Sequence, residues 1–167
     1  MDLTSAMGIV SPSLYAAFGS KEALYIEALN YYRDHYESLV WGKFFSMNTA
    51  RESVECLLLD SAAALTGCLV NAQRGCMITL SAVDSEGHSG LGELVRSARA
   101  VTLERLTARL GRAVEEGEIG TTVDIRALAR FLQTIQCGMS ILARDGADCA
   151  ELEAVAQIAL IGFDARC

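Results

Sequence analysis

The sequence predicts an all-α chain, and three observations carry that expectation. About half of the 167 residues are hydrophobic, with Ala and Leu prominent. There is one proline, Pro12, at a position suited to a helix start, and apolar residues recur at steps of three and four along most of the chain. That spacing is the signature of an amphipathic helix, and the composition disfavours both disorder and a β architecture. A chain of this length can bury roughly 70% of the surface it exposes when unfolded, which is enough for a substantial core. No apolar run approaches the roughly 20 residues of a membrane span, and no charged-then-apolar leader is present, so a soluble, cytoplasmic protein without a membrane partner is expected.

The first element is a short apolar-periodic piece, Leu3-Thr4-Ser5-Ala6-Met7, ending at Gly8, which can supply a left-handed turn. A second helix begins at Ser11-Pro12, with Ser11 expected as N-cap and Pro12 in the first helical position, where a missing N–H costs nothing. Gly19 ends it and Ser20 caps the next helix, which carries Glu22 near the positive end of its dipole. Two short helices around a glycine-containing turn fit a helix-turn-helix.

The wording from Leu3 to Leu29, L-T-S-A-M-G-I-x-x-P-S-L-Y-A-A-F-G-S-K-E-A-L-Y-x-x-A-L, closely resembles the end of the DNA-binding domain of TetR-type transcriptional regulators. The resemblance implies that L-Y-x-x-F forms the recognition helix and that S-K-E-x-L opens the helix leading to the regulatory domain. It places Ser11, Pro12, Ser13 and Tyr15 at the operator and Lys21 on a phosphate. Family members carry a complete helix, and most of a second, ahead of the point corresponding to Met1. A partial DNA-binding domain over 1–45 is therefore expected, followed by a ligand-binding and dimerisation domain over 46–167. Without those helices the inner face of the recognition helix, Leu14 and Phe18, is expected to be uncovered. Operator affinity is then expected to fall at least roughly tenfold, or 1.4 kcal/mol, below that of a chain carrying them.

Ser20 to about Ser46 reads as one long helix, with Leu24, Ala28, Tyr31 and Leu39 on one stripe and Tyr25, Leu29, Tyr32, Tyr36 and Val40 on another, predicting burial on two sides. Thr49-Ala50-Arg51-Glu52 has the capping-box pattern. The helix it opens has Val54, Leu57, Leu58, Ala62, Leu65 and Leu69 at helical period and fades near Gly67. Residues 71–78 read as a turn into a short helix, and Arg74-Gly75-Cys76 resembles a segment that lies beside the effector cavity in one branch of the family. The stretch Asp84 to Gly92 reads as a loop, in which Asp84, Ser85 and His88 form no recognisable catalytic arrangement. A long helix over Leu91 to Glu116 follows, stopped by Gly117 and Gly120, with Arg96, Arg99, Arg105, Arg109 and Arg112 expected on a solvated face. Asp124 caps the next helix, in which Ile125, Leu128, Leu132, Ile135, Met139 and Leu142 form a bundle seam. The last helix, about Cys149 to Phe163, carries Leu152, Val155, Ala159 and Phe163 on one side.

The net charge of −7 is the wrong sign for a protein that coats nucleic acid nonspecifically. Even Met1 to Lys43 sets Lys21, Arg33 and Lys43 against Asp2, Glu22, Glu27, Asp34 and Glu37. Any DNA contact must be local. The six cysteines lack C-x-x-C spacing and are expected to be buried small hydrophobes, with no metal site and no cofactor.

The expected function is a ligand-responsive DNA-binding transcriptional regulator, a repressor released from its operator by a small molecule. The alternative is a DNA-incompetent ligand-binding and dimerisation module. No base, nucleophile and orienting group suggest an enzyme. An unidentified small-molecule effector is expected among Trp41, Phe45, Leu58, Met77, Phe131 and Cys137, since ligand cavities favour apolar walls. By the resemblance, the last two long helices pair with their copies in a homodimer, through Leu128, Leu132, Ile135, Met139, Leu152, Val155 and Ala159.

Overall fold

The computed structural model describes residues 3–69, 73–81 and 89–167, and among them the regular structure is entirely helical. The helices are α1 (Leu3–Met7), α2 (Ser11–Phe18), α3 (Lys21–Trp41), α4 (Ala50–Leu65), α5 (Met77–Leu80), α6 (Ser89–Glu115), α7 (Ile125–Asp145) and α8 (Cys149–Asp164). The chain divides into two compact units, Met1–His35 and Tyr36–Cys167. The expected loop at Asp84 to Gly92 differs in its last part, because Ser89 to Gly92 already belong to α6. Asp84, Ser85 and His88 lie outside the described residues.

In the smaller unit, α1 closes at Gly8, whose φ is 65°. The Ile9 N–H donates to Thr4 O at 3.0 Å and the Gly8 N–H to Ser5 O at 3.3 Å, so the left-handed glycine lets the last carbonyls of a five-residue helix find donors. Helix α2 starts one residue earlier than expected. Val10, extended at φ −94° and ψ 153°, is the N-cap, and no side chain caps it. Ser11 is therefore already helical and Pro12 sits second in the helix. The shift is inexpensive because the second N–H, like the first, has no intrahelical acceptor to lose. Gly19, at φ 74°, ends α2, and Ser20 Oγ accepts from the Ala23 N–H at 3.0 Å to start α3.

Along α3 the two expected stripes differ. Leu29 is buried and Tyr25, Tyr32, Tyr36 and Val40 are half-buried, but Ala28 and Tyr31 of the other stripe are exposed. The helix ends at Trp41 rather than near Ser46. Residues 42–46 form a turn in which the Ser46 N–H and hydroxyl both donate to Lys43 O at 2.9 Å. The turn buries Phe44 and leaves Phe45 exposed.

The larger unit is built on α4, which packs against α6, α7 and α8, with α7 also against α6 and α8. The capping box at Thr49 forms as the spacing predicts: the Glu52 N–H donates to Thr49 Oγ1 and the Thr49 N–H to Glu52 Oε2, both at 3.1 Å. Val54, Leu57, Leu58 and Ala62 are fully buried, and join Leu106, Leu110, Leu132, Met139, Leu152, Leu160 and Phe163 in one core. Each such large side chain contributes about 1.5 to 3 kcal/mol through its burial. Leu69, beyond the end of α4, is exposed. Asp124 Oδ1 accepts from the Ala127 N–H at 2.9 Å at the start of α7. A second box, Asp148 with Glu151, opens α8 at 2.9 and 2.8 Å.

The arginines of α6 do not share one solvated face. Arg96 and Arg112 are exposed, but Arg109 is buried, donating to Ser53 Oγ and Asn48 O at 3.1 Å and lying 3.6 Å from Glu118. It stands on the stripe of Leu106 and Ala113, three residues after one and four before the other, which places it inward. A buried guanidinium persists only where carboxylates and acceptors surround it. The cysteines also differ from expectation: Cys68 and Cys167 are exposed and the other four half-buried. Their positions fall at element ends and half-covered faces rather than on the buried stripes.

Candidate nucleic-acid and effector sites

Helix α2 is split by burial. Leu14 is buried and Phe18 half-buried, while Ser11, Pro12, Ser13 and Tyr15 are exposed. This corrects the expectation that Leu14 and Phe18 would be uncovered: the described residues already cover the first completely and the second partly. An eight-residue helix is marginal in isolation, so the burial of Leu14 is what anchors it. Lys21 opens α3, exposed, directly after the Ser20 cap. The polar atoms of α2 thus cluster at its N-terminal end, where backbone N–H groups point outward and suit negatively charged groups.

The residues expected around an effector fall into four places. Trp41 and Phe45 stack with centroids 6.0 Å apart, and Phe44 meets both edge-on at 5.0 and 5.3 Å. The Arg105 guanidinium lies 5.1 Å from the Trp41 centroid and 5.6 Å from that of Phe45, and pairs with Glu37. Leu58 is wholly inside the core. Met77 opens α5, against which α7 packs, and Cys137 of α7 is pushed up by burial, with the Thr79 hydroxyl and Cys76 as neighbours.

Helix α5 is held from two sides. Arg99 donates to the carbonyl oxygens of Ile78, Thr79 and Ser81 at 3.2, 3.0 and 2.6 Å, and the Cys76 N–H donates to Ser140 Oγ at 2.8 Å. Gln133 Nε2 donates to Arg99 O at 3.0 Å. Arg99 and Arg105 were the residues that reading α6 as a solvated stripe passed over. Phe131 lies apart from the others, since a Cβ on Gly162 of α8 would stand 3.5 Å from its ring.

On α7 and α8, Leu128, Leu132, Met139, Leu152 and Ala159 point into the chain's own core, and only Ile135 and Val155 of the expected seam are half-exposed. A seam read at helical period contains the inward stripe, and that stripe is used within the chain. The outward apolar side chains are Phe131, Ile141, Leu142, Ile158 and Ile161, the last two 71% and 69% exposed.

No family model matches the chain. It is 34% identical over 161 residues to the HTH-type transcriptional repressor ComR of Escherichia coli, with 95% of this chain and 74% of that protein covered. It is 27% identical over 167 residues to the uncharacterized HTH-type transcriptional regulator YezE of Bacillus subtilis, covering 98% of this chain and 84% of that one. Among solved structures it is similar to a cysteine-substituted form of the TetR family transcriptional regulator CifR, complexed with a 26-bp operator DNA and apo-CifR. The TM-score is 0.87 at 32% identity, over 96% of this chain and 84% of that one.

Proposed function

The chain belongs to the TetR family of DNA-binding transcriptional regulators, and from that premise we propose that it is a homodimeric repressor released from its operator by a small molecule. The observation that carries the DNA half is the division of α2 into a buried Leu14 and an exposed Ser11-Pro12-Ser13-Tyr15 edge. Such a helix enters a major groove N-terminus first. The two serine hydroxyls and the Tyr15 hydroxyl then reach base edges or phosphates, and Lys21 neutralises a phosphate at the start of α3.

The dimer is proposed to form on the outward face of α7 and α8, through Phe131, Ile135, Leu142, Val155, Ile158 and Ile161. A twofold copy covers such a face with its own equivalent. Leu128, Leu132, Met139, Leu152 and Ala159 form the floor beneath that face. The effector is proposed to lie at α5, against Met77 and Cys137, and a separate proposed contact is the aromatic group of Trp41 and Phe45, which Arg105 links to Glu37 of α3.

Enrichment of a randomised duplex pool on the purified chain tests the reading. The expected result is convergence on a two-fold palindrome, because operator symmetry mirrors protein symmetry. Failure to enrich any sequence would favour the DNA-incompetent alternative.

A further inference from the structure

We propose that Cys68 and Cys149 form an oxidation site, at which a hydroperoxide converts the two thiols into an intramolecular disulfide between the end of α4 and the start of α8. All six cysteines are free thiols, so the pair stands in its reduced form. Its placement follows from two helix ends. At the end of α4, Gly67 takes φ 80°, and the Gly67 and Cys68 N–H groups donate to Ala64 O at 3.2 Å and Ala63 O at 2.9 Å. That closure fixes the position of Cys68. Cys149 is the first residue of α8, directly after the Asp148 cap, and α8 packs along α4.

One hydroxyl neighbours both thiols. Thr66 Oγ1 donates to Ala62 O at 2.7 Å and lies 3.3 Å from Cys68 Sγ. The Cys149 thiol has the same Thr66 hydroxyl and the Cys68 thiol as neighbours, and its sulfur lies 3.5 Å from Glu153 Oε1. Two thiols beside one hydroxyl, at the end of one helix and the start of the helix packed along it, are placed to bond.

The order of events follows from exposure and charge. Cys68 is exposed, whereas Cys149 is half-buried. Burial, with the Cys68 thiol and the Glu153 carboxylate beside it, pushes the Cys149 thiol up to about 11 against the lowering influence of Thr66. The thiolate is the nucleophile, so Cys68 attacks first. Its sulfur takes the distal oxygen of the hydroperoxide, the O–O bond breaks, and a sulfenic acid forms as the leaving oxygen departs with a proton as water or alcohol. The Cys149 sulfur then displaces the sulfenic hydroxyl, forming the S–S bond, and its proton leaves with that hydroxyl as water. Two thiols lose two electrons and two protons, and the peroxide oxygens gain them.

The test treats the full chain with a small molar excess of hydrogen peroxide and follows it by intact mass and by non-reduced peptide mapping. The expected result is a loss of about 2 Da, a peptide joining Cys68 to Cys149, and disappearance of two of the six titratable thiols. The unfolding midpoint should rise by roughly 5 to 10 °C through closure of a long loop, and reductant should reverse it. In Cys149→Ser, Cys68 should remain as a sulfenic acid that a dimedone-type diketone captures, at a yield at least roughly tenfold above wild type. A Cys76–Cys137 link, a link between chains only, oxygen addition at Cys68 without cross-linking, or equal diketone capture in both proteins would overturn the proposal.

Discussion

The unit Met1–His35 has Leu14 and Leu29 as the buried apolar side chains among its described residues, whereas Tyr36–Cys167 holds a continuous core that runs from Trp41 to Phe163. The smaller unit is made of short helices closed by left-handed glycines at 8 and 19. It presents hydroxyls and one lysine outward. The larger unit has long helices started by side-chain caps at Thr49, Asp124 and Asp148, and on α7 and α8 it exposes Phe131, Ile141, Leu142, Ile158 and Ile161. The difference teaches that stability and recognition are assigned to different stretches of sequence. Little apolar burial holds the polar edge proposed to meet DNA, while a large core supports the apolar side chains proposed to meet another copy of the chain.

The comparison breaks most easily at the cores. Phe163→Ala should cost about 3 to 5 kcal/mol in urea unfolding, because the ring is buried in the core and its removal leaves a cavity. Leu14→Ala should cost about 2 to 5 kcal/mol locally, seen as lost operator binding while the main unfolding transition of the larger unit keeps its midpoint. If Leu14→Ala lowered that main transition as much as Phe163→Ala, the two units would not be energetically separate.

The two faces of α8 sharpen the contrast. Ile158→Asp, on the outward face, should weaken the dimer at least roughly 100-fold, about 2.7 kcal/mol, leaving a folded monomer by light scattering with an unchanged helical circular dichroism signal. Leu152→Asp, on the inward face, should instead destroy the helical signal, because it buries an unpaired charge. A wild-type chain that is monomeric at micromolar concentration would remove the dimer from the account.

Smaller effects lie at the caps. Asp148→Ala should cost about 1 kcal/mol, because the Glu151 N–H loses its acceptor, and the thermal midpoint should fall accordingly. The backbone N–H of Thr49, and then its side chain, hold the Glu52 carboxyl below its usual value of 4.5. Since the native value is the depressed one, the stabilisation is present above about 4.5 and is lost as pH falls through the native value. Glu52→Gln should therefore show a flatter dependence of midpoint on pH in that acid range, while a curve unchanged from wild type would contradict the assignment.

How much of this was legible depended on the kind of signal. Glycine turns and caps at Gly8, Gly19, Ser20, Thr49 and Asp124 were readable because each needs particular residue types within a few positions. The inward stripe of α4 was readable from period alone. The outward face of α7 and α8 was not, because Leu132 and Ile158 are equally apolar and only the packing of α4 decides which of the two is covered. Arg99, Arg105 and Arg109 were missed for a related reason: an arginine among glutamates reads as solvated until its partners Ser53, Glu37 and the α5 carbonyls arrive from distant sequence. The residues proposed to face DNA came from resemblance and those proposed for the effector from their apolar character, and the exposure of the first on α2 and of Phe45 is what the structure adds.

The central claim is that the exposed edge of α2 reads DNA while the rest of the chain holds it. The most direct measurement is fluorescence anisotropy with the duplex enriched by the wild-type chain, comparing wild type with Tyr15→Ala at one fixed salt concentration. Tyr15 is exposed, so its removal should leave the unfolding midpoint in place. Operator affinity should drop at least roughly tenfold, about 1.4 kcal/mol, with little change in binding to a scrambled duplex. Equal affinity of the two proteins for the enriched duplex would contradict the account.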